Sequence, residues 1–461
     1  MTGRTAVLLI GLSGLIALSC NRNHNGSAYT FNKDIAPVIF KNCSPCHRPG
    51  ESGPFSLLTY KDVRKKAKTI VKVTQKGIMP PWPADPEYRH FVGERFLTQT
   101  EKDMIQEWVE NGCPEGDSSI VPAPPHFPEG SQLGKPDLVF TLKEPFIIPG
   151  DNTDHFMVVK IPYELPADTF IRLVEYVPGN RTLSHHVNGH IIQFDFDKKK
   201  DVFAGPWFID REKAGSLDSC YKYLQILNDD GTYPTLTPSV FNYLPGMTPQ
   251  LYPEGIGGYH IKRKGVILMR DLHYGPSPKT DQDLPHVNMF FAKSPPLRPF
   301  METQLGTLGI SEIVPPLLIP PDTVMKFVTR AKIIHDISLV TVNPHMHLLG
   351  KSFLAYALTQ DGDTIHIVSI PKWDFRWQFY YTFPHILHIP ANSTIVAEAV
   401  FDNTSANPNN PFSPPQEITG LKGSMKTTDE MFQLIMTFLP YEQGDEQISL
   451  ENVSLENAGL K

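Results

Sequence analysis

A short N-terminal segment has the residue types and spacing of covalent haem attachment. Cys43-Ser44-Pro45-Cys46-His47 supplies two thiols followed directly by an imidazole. In such a segment the thiols of Cys43 and Cys46 form thioethers with the haem, and His47 ligates the iron. A zinc site would require a second pair of Cys or His nearby. The segment therefore predicts a c-type haem.

The sixth haem ligand should be a soft donor on a later loop. Met79 fits, in the run Gly77-Ile78-Met79-Pro80-Pro81-Trp82, because the prolines would stiffen the loop that presents the thioether. His90 is the rival ligand. A methionine ligand raises the haem potential and favours electron transfer over binding of O₂.

Two histidines far downstream have the spacing of a metal site on a strand. His345 and His347 are two residues apart, so on a strand over residues 337–349 both imidazoles leave the same face and suit one metal ion. His-x-His alone is a weak signal, since strands also carry histidines for packing.

A second histidine pair, His185-His186, is adjacent in sequence. Neighbours on a regular strand point to opposite faces, so both reach one ion only at a bulge or a strand end. His190 shares the face of His186 and could replace one of the pair. His273 ends another apolar strand and could supply a third imidazole.

The elements that position these residues follow from length and pattern. A chain of 461 residues suggests about three domains. Residues 29–120 have helical patterns over 31–43, over 61–76 and after a capping box at Thr98. Residues 121–137 are a Pro-rich linker.

From residue 138 onward the pattern changes to short runs of β-branched and aromatic residues bounded by turns, with no helix. Asp361-Gly362 marks a hairpin turn within 354–370. We predict a small all-α domain followed by two antiparallel β-sandwich domains, jelly-roll-like, over 138–300 and 301–445, and a tail over 446–461. The net charge is −7 without a basic stripe, so a nucleic-acid partner is not expected.

The N-terminus has the features of an export signal. Residues 1–19 carry an early positive charge, an apolar run and small residues before Cys20, which resembles a bacterial lipoprotein signal. Cys20 would be lipidated, residues 20–28 would form a tether, and the mature chain would be an extracytoplasmic lipoprotein of the cell envelope, in the periplasm or on the outer membrane. An ordinary signal peptide with a chance cysteine is the alternative. Cys113 and Cys220 are either paired or free.

Two family resemblances emerge from these motifs. Residues 29–118, with Cys-x-x-Cys-His and the Met-Pro-Pro loop, resemble class I cytochrome c domains. Residues 138–440 look like the copper type II, ascorbate-dependent monooxygenases, which include peptidylglycine and dopamine hydroxylases. Four motifs in order carry this second resemblance: Ser184-His185-His186, Leu272-His273-Tyr274, His345-Met346-His347 and Thr428-Asp429-Glu430-Met431.

The second resemblance implies two copper ions. His185, His186 and His273 would hold the electron-transfer copper, and His345, His347 and Met431 the oxygen-binding one. A thioether favours Cu(I), which suits a centre that meets O₂ while reduced. Met436 lies nearby, but on the opposite face of a regular strand.

The implied function is a copper monooxygenase that hydroxylates a C–H bond with O₂. The fusion suggests that the haem delivers electrons from an external donor, either ascorbate or a redox protein. The carboxylate clamp of peptide-hydroxylating relatives is missing, because Asn343, Gln433 and Ile435 stand at its positions. The identity of the substrate is therefore open, and we expect an apolar or phenolic compound rather than a glycine-extended peptide. The alternative is a non-catalytic haem- and copper-binding electron-transfer lipoprotein.

Overall fold

The N-terminal part of the chain is helical. The computed structural model describes residues 29–128, 130–195, 197–421 and 426–458, so the predicted leader, the tether and Cys20 lie outside the described residues. A π-helical turn, Phe31–Ile35, leads into α1, Ala36–Asn42; α2, Tyr60–Gln75, and α3, Gln99–Glu110, follow. The predicted capping box of Thr98 and Glu101 is present at the start of α3.

These helices enclose a hydrophobic core of their own, which includes Phe31, Ile39, Ile70 and Trp108. A 3-10 turn, Ser118–Ile120, follows α3. Among the described residues from 121 to 137 there is no helix or strand. Within the described ranges, none of the helices combines the length and apolar character needed to cross a bilayer.

The next part of the chain is an antiparallel β-sandwich, as the sequence predicted. A four-stranded sheet has the order β1-β12-β4-β9, and a larger one has the order β6-β3-β10-β5-β7, with β8 also paired to β5. Side chains from both sheets, such as Ile171 and Ile267, share one core. The strands are β1 Leu138–Thr141, β2 Phe146–Ile148, β3 His155–Glu164, β4 Thr169–Val177, β5 Ser184–Gln193, β6 Phe208–Asp210, β7 Thr235–Leu236, β8 Phe241–Tyr243, β9 Tyr259–Ile261, β10 Lys264–Tyr274, β11 Asp281–Asp283 and β12 His286–Phe291.

A second antiparallel sandwich follows. Its sheets have the orders β13-β23-β17-β20 and β14-β16-β21-β18-β19, and Leu339 and Phe353 are among the core residues that they share. The strands are β13 Met301–Gly306, β14 Ile313–Val314, β15 Leu318–Ile319, β16 Val324–Lys332, β17 Ile337–Met346, β18 Gly350–Leu358, β19 Thr364–Ile370, β20 Tyr381–Ile389, β21 Thr394–Asp402, β22 Ile418–Thr419 and β23 Phe432–Pro440; a 3-10 turn, Asp445–Gln447, comes after them. The predicted hairpin at Asp361-Gly362 is β18 and β19.

The sequence was wrong about helices beyond residue 137. Two short ones occur in the first sandwich, α4, Arg211–Ala214, and α5, Leu217–Tyr223. Cys220 of α5 is buried against the outer face of the six-stranded sheet. A helix of two turns offers too few apolar positions to be detected by its periodicity.

A buried ion pair joins the two sandwiches. Arg298 lies in the segment between β12 and β13, and its carbonyl accepts from Gly257 of the first sandwich. Its guanidinium binds both oxygens of Asp445 at 2.6 and 2.7 Å, and Asp445 also accepts from Ser338 on β17. Burial raises the pKa of Asp445, but the hydrogen bonds from Arg298 and Ser338 outweigh it and hold the pKa at about 2.

We expect Asp445→Asn to lower the free energy of unfolding by about 2 kcal/mol at pH 7. The folded pKa lies below that of the unfolded chain, so this contribution is present above pH ~4 and is lost as the pH falls toward 2. Urea unfolding at pH 7 and pH 3 measures the effect. Asp230→Asn is the control, because its pair with Lys198 is solvent-exposed and should contribute nothing measurable. Equal stabilities of the two variants at pH 7 would contradict the expectation.

Candidate metal centres

Three imidazoles meet where β5 and β10 pair. The Nδ1 atoms of His185 and His186 are 3.1 Å apart, and the Nδ1 atoms of His186 and His273 are 3.3 Å apart. The ladder between the strands shifts register on both sides of His273. This irregularity is what two adjacent histidines need in order to turn toward one point. One metal ion would satisfy all three donor atoms, which lie within 4.8 Å of one another.

The surroundings keep these imidazoles in the form that binds metal. Burial lowers the pKa of His185 to about 4 and that of His186 well below its usual value, so both rings are neutral at pH 7. Nε2 of His273 is 2.7 Å from a carboxylate oxygen of Asp154. Burial raises the pKa of Asp154, but the hydrogen bond with His273 outweighs it, and the net pKa is lowered. The carboxylate thus favours the tautomer of His273 that carries its proton on Nε2. The lone pair of Nδ1 is then available to bind a metal ion.

His190, the alternative ligand on β5, lies outside this cluster. Its Nδ1 is 3.1 Å from the carbonyl oxygen of Thr237, and the ring is buried. The geometry therefore brings together His185, His186 and His273, and it leaves His190 as a hydrogen-bonded wall residue.

The second pair of histidines lies at the end of β17. The ring centroids of His345 and His347 are 5.1 Å apart. Nδ1 of His345 is 2.5 Å from Oε1 of Gln378, and Nδ1 of His347 is 3.0 Å from the carbonyl oxygen of Asp429. Both acceptors require an N–H at Nδ1. The lone pair of Nε2 in each ring is therefore available to bind a metal ion. Burial lowers the pKa of His345 to about 3 and that of His347 to about 4.

Met431 lies beside these histidines in the sheet. In the ladder of β17 and β23, His345 pairs with Gln433 and Met346 with Phe432, so Met431 stands opposite His347 one position beyond the last pair. Residues directly opposite each other share a face. Met436, by contrast, belongs to the hydrophobic core on the other face. The position of Met431, which is fully buried, agrees with a ligand of the same centre as the two histidines.

Glu430 holds the backbone at His347 and Met431 in place through hydrogen bonds. Its carboxylate oxygens accept from the backbone N–H groups of Leu349 at 2.6 Å, His347 at 2.9 Å and Met431 at 3.3 Å. Burial raises its pKa to about 8, against the lowering effect of these donors. One side chain thus ties both strand ends together at the positions of His347 and Met431.

A cavity of about 230 Å³ lies between the two centres, lined by His186 from the first sandwich and His345 from the second. Six amide side chains contribute to its wall: Asn188, Asn242, Gln304, Asn343, Gln378 and Gln433. Besides the histidines, Arg270 is its basic lining residue and Asp271 its acidic one. A larger adjoining cavity of about 450 Å³ shares Tyr243 and Tyr380 with it, but no histidine of the described ranges lines it. The smaller cavity is therefore the one that both candidate metal centres border.

The predicted haem-attachment segment follows α1. Cys43 and Cys46 are free thiols, each half-buried. Nδ1 of His47 is 3.2 Å from the carbonyl oxygen of Phe55, so the ring donates there and keeps Nε2 free. Two thiols that make no disulfide and an imidazole with one free nitrogen fit a covalently attached haem.

The two candidates for the sixth haem ligand differ in exposure. Met79 is half-buried, just after α2. The side chain of His90 is 68% exposed, and its Nδ1 binds Glu94 at 3.0 Å. Met79 stays the predicted sixth ligand, with His90 as its rival. Cys113 and Cys220 are buried, unpaired thiols in separate hydrophobic cores.

Sequence reasoning missed the residues that orient the ligands. Asp154 and Gln378 follow no motif that could have revealed them, because each is far along the chain from the histidine it binds. Glu430 did carry a signal, since it stands directly before Met431 in a motif already singled out.

Comparison with known proteins adds no family. No protein-family model matches the sequence, and no curated protein matches it. Among solved structures, the PBCV-1 VP54 structure fitted into a reconstruction of the virophage Sputnik is 9% identical with a TM-score of 0.16, over 66% of this chain and 96% of that chain. An allantoicase structure is 8% identical with a TM-score of 0.14, over 57% and 83%. A structure of infectious bursal disease virus, Gt strain, is 13% identical with a TM-score of 0.15, over 67% and 77%. Scores this low carry no functional argument.

Proposed function

We propose that the protein is a copper-dependent monooxygenase that hydroxylates a C–H bond with O₂ and receives its electrons through its own c-type haem. The observation that carries this proposal is a cavity lined by residues of both histidine clusters, His186 from the first sandwich and His345 from the second. Two one-electron centres on one cavity suit a reaction that consumes two electrons per O₂. In the reaction, a C–H bond, O₂, two electrons and two protons are converted into a C–OH group and one water molecule.

The donor sets match copper in two different ways. His185, His186 and His273 would hold one ion through Nδ1, and imidazole alone suits both oxidation states of copper. His345 and His347 would hold the other through Nε2, together with the thioether of Met431, which favours the reduced state. When bound, copper supplies one-electron transfer at the first centre and activation of O₂ at the second.

The chain's own residues contribute orientation and protection. Asp154, Gln378 and the Asp429 carbonyl fix the ring tautomers, and carboxylate or carbonyl partners of this kind raise the basicity of the ligand. His186 and His345 are half-buried on the cavity wall, which reduces the contact of a bound metal with bulk water and would limit escape of reactive species. Glu430 holds the backbone of His347 and Met431.

The cavity wall indicates the class of substrate. Its amides offer hydrogen-bond donors and acceptors without net charge, and Arg270 and Asp271 balance each other. Asn343, which stands where the carboxylate-binding arginine of the resembled peptide hydroxylases would be, donates to the carbonyl oxygen of Phe379 at 2.9 Å. We propose an uncharged substrate that presents hydrogen-bonding groups, such as a phenol or an amide.

The remaining expectations belong to the same proposal. The helices of residues 29–120 would form a cytochrome c domain, with Cys43, Cys46, His47 and Met79 holding the haem. The two sandwiches would be jelly-roll-like and correspond to the two halves of the monooxygenase unit. Cys20 would anchor the protein by lipid outside the cytoplasmic membrane, where ascorbate or a redox protein would supply electrons.

The test is oxygen uptake by the copper-loaded, haem-containing full chain with ascorbate and a panel of phenols and amides. We expect O₂ consumption in proportion to a hydroxylated product that carries label from ¹⁸O₂. The His345→Ala variant, which lacks one predicted ligand of the oxygen-binding centre, is the control and should form no product. Reduced protein that stays reduced in air with every compound would overturn the proposal and favour an electron carrier.

A further inference from the structure

One short segment of the first sandwich, residues 243–247, touches the haem-attachment segment. Sγ of Cys46 lies 3.5 Å from the carbonyl oxygen of Pro245. Gly246 has a φ of +75°, and a Cβ on it would come within 2.3 Å of the same Sγ. Only glycine allows so close an approach of this backbone to the predicted thioether sulfur.

The other end of the segment reaches the three-histidine cluster. Tyr243, the last residue of β8, pairs with Val187 of β5, the neighbour of His186. Leu244 and Met247 line the same cavity as His186. The segment therefore runs from contact with Cys46 to strand pairing next to a predicted copper ligand.

An ion-pair cluster holds the two parts together beside this contact. Glu51, buried just after the haem-attachment segment, is 2.6 Å from Arg48 and 3.5 Å from Arg181. Arg181 lies in the first sandwich shortly before His185. Burial raises the pKa of Glu51, while Arg181 and Arg48 oppose that effect. The pair of Glu51 with Arg181 thus holds the haem-attachment segment against the part of the first sandwich that leads into β5 and His185.

We infer that residues 243–247 form the contact through which an electron passes from the haem to the three-histidine copper. This inference rests on the proposed function. In the step, ferrous haem becomes ferric and cupric copper becomes cuprous, with one electron transferred and no bond formed or broken. The electron tunnels more readily along bonded and hydrogen-bonded atoms than across open space. The path through Cys46, Gly246, Tyr243, Val187 and His186 has a single non-bonded gap at the sulfur and one strand pairing.

The test enlarges that gap. Gly246→Ala would place a methyl group against Sγ of Cys46 and 2.8 Å from Nη1 of Arg95, so the segment must move away. The matched control is Gly231→Ala, because Gly231 has a similar φ of +81° but open space around it. The full chain is loaded with haem and cupric copper, the haem is reduced by a laser flash without O₂, and its reoxidation is followed at the Soret band.

We expect Gly246→Ala to slow haem reoxidation at least 10-fold, with haem content, copper content and the haem midpoint potential unchanged, and Gly231→Ala to match the original protein. Gly246→Val, with a larger side chain, should slow it further. Reoxidation at the original rate in either folded Gly246 variant overturns the inference. If Gly246→Val does not fold, Gly246→Ala decides alone. Absence of haem or copper from the unaltered protein would instead refute the proposed function.

Discussion

Replacing His186 with alanine is expected to remove one of the two proposed copper ions and to stop reoxidation of the proposed haem by that copper. His186 lies between its partners, with Nδ1 at 3.1 Å from His185 and 3.3 Å from His273. Loss of the central donor leaves two imidazoles, and a pair holds copper far more weakly than a set of three. We expect the affinity of this centre to fall at least 100-fold and product formation with it.

Copper content by atomic emission, and affinity by competition with a chelator, measure this effect. His190→Ala is the matched control, since His190 is also buried, lies on the same strand and lines the same cavity, yet it binds the Thr237 carbonyl rather than the cluster. It should retain two copper ions. Equal copper loss in the two variants would mean that the strand, and not the ligand set, had been disturbed.

Structural features that depend on a few neighbouring residues could be predicted from the sequence. The capping box of Thr98 and Glu101 needs only three residues of separation. The Asp361-Gly362 turn needs only a residue that tolerates positive φ, and Gly362 has a φ of +90°. Both signals act within one turn of chain and do not depend on the rest of the fold.

The meeting of His273 with His185 and His186 was not predictable from pattern alone. It depends on a register shift in the pairing of β5 with β10, which no local propensity specifies. The family resemblance proposed this grouping, and the geometry brings the three rings together. The same limit applies to Asp154, which is 119 residues from His273 in sequence.

The position of β20 shows a different limit. The aromatic-rich run over residues 377–383 has strand propensity, whereas β20 is Tyr381–Ile389. The carbonyl oxygen of Phe379 accepts from the amide of Asn343, and the side chain of Gln378 binds His345. Phe379 and Gln378 therefore contact β17 through hydrogen bonds with side chains and not through strand pairing. Gln378 lies in the wall of the smaller cavity.

Replacing Met431 with leucine tests the second centre. Leucine is close to methionine in volume and should cost less than about 1.5 kcal/mol of stability. It removes the thioether and leaves only His345 and His347 as donors. We expect affinity for Cu(I) at this centre to fall at least 10-fold and formation of hydroxylated product to fall at least 100-fold, with the first centre still occupied.

Met436→Leu is the matched control for this change. Both methionines are fully buried next to or on β23, but Met436 faces the hydrophobic core and Met431 lies on the face that carries His345 and Gln433. A competition titration with a Cu(I) chelator, together with product analysis, separates the two variants. If both reduce turnover equally, packing of the strand and not a sulfur ligand explains the effect. If only Met431→Leu reduces turnover, a sulfur ligand at residue 431 explains the effect, because the ladder with β17 puts Met431 and Met436 on opposite faces of the sheet.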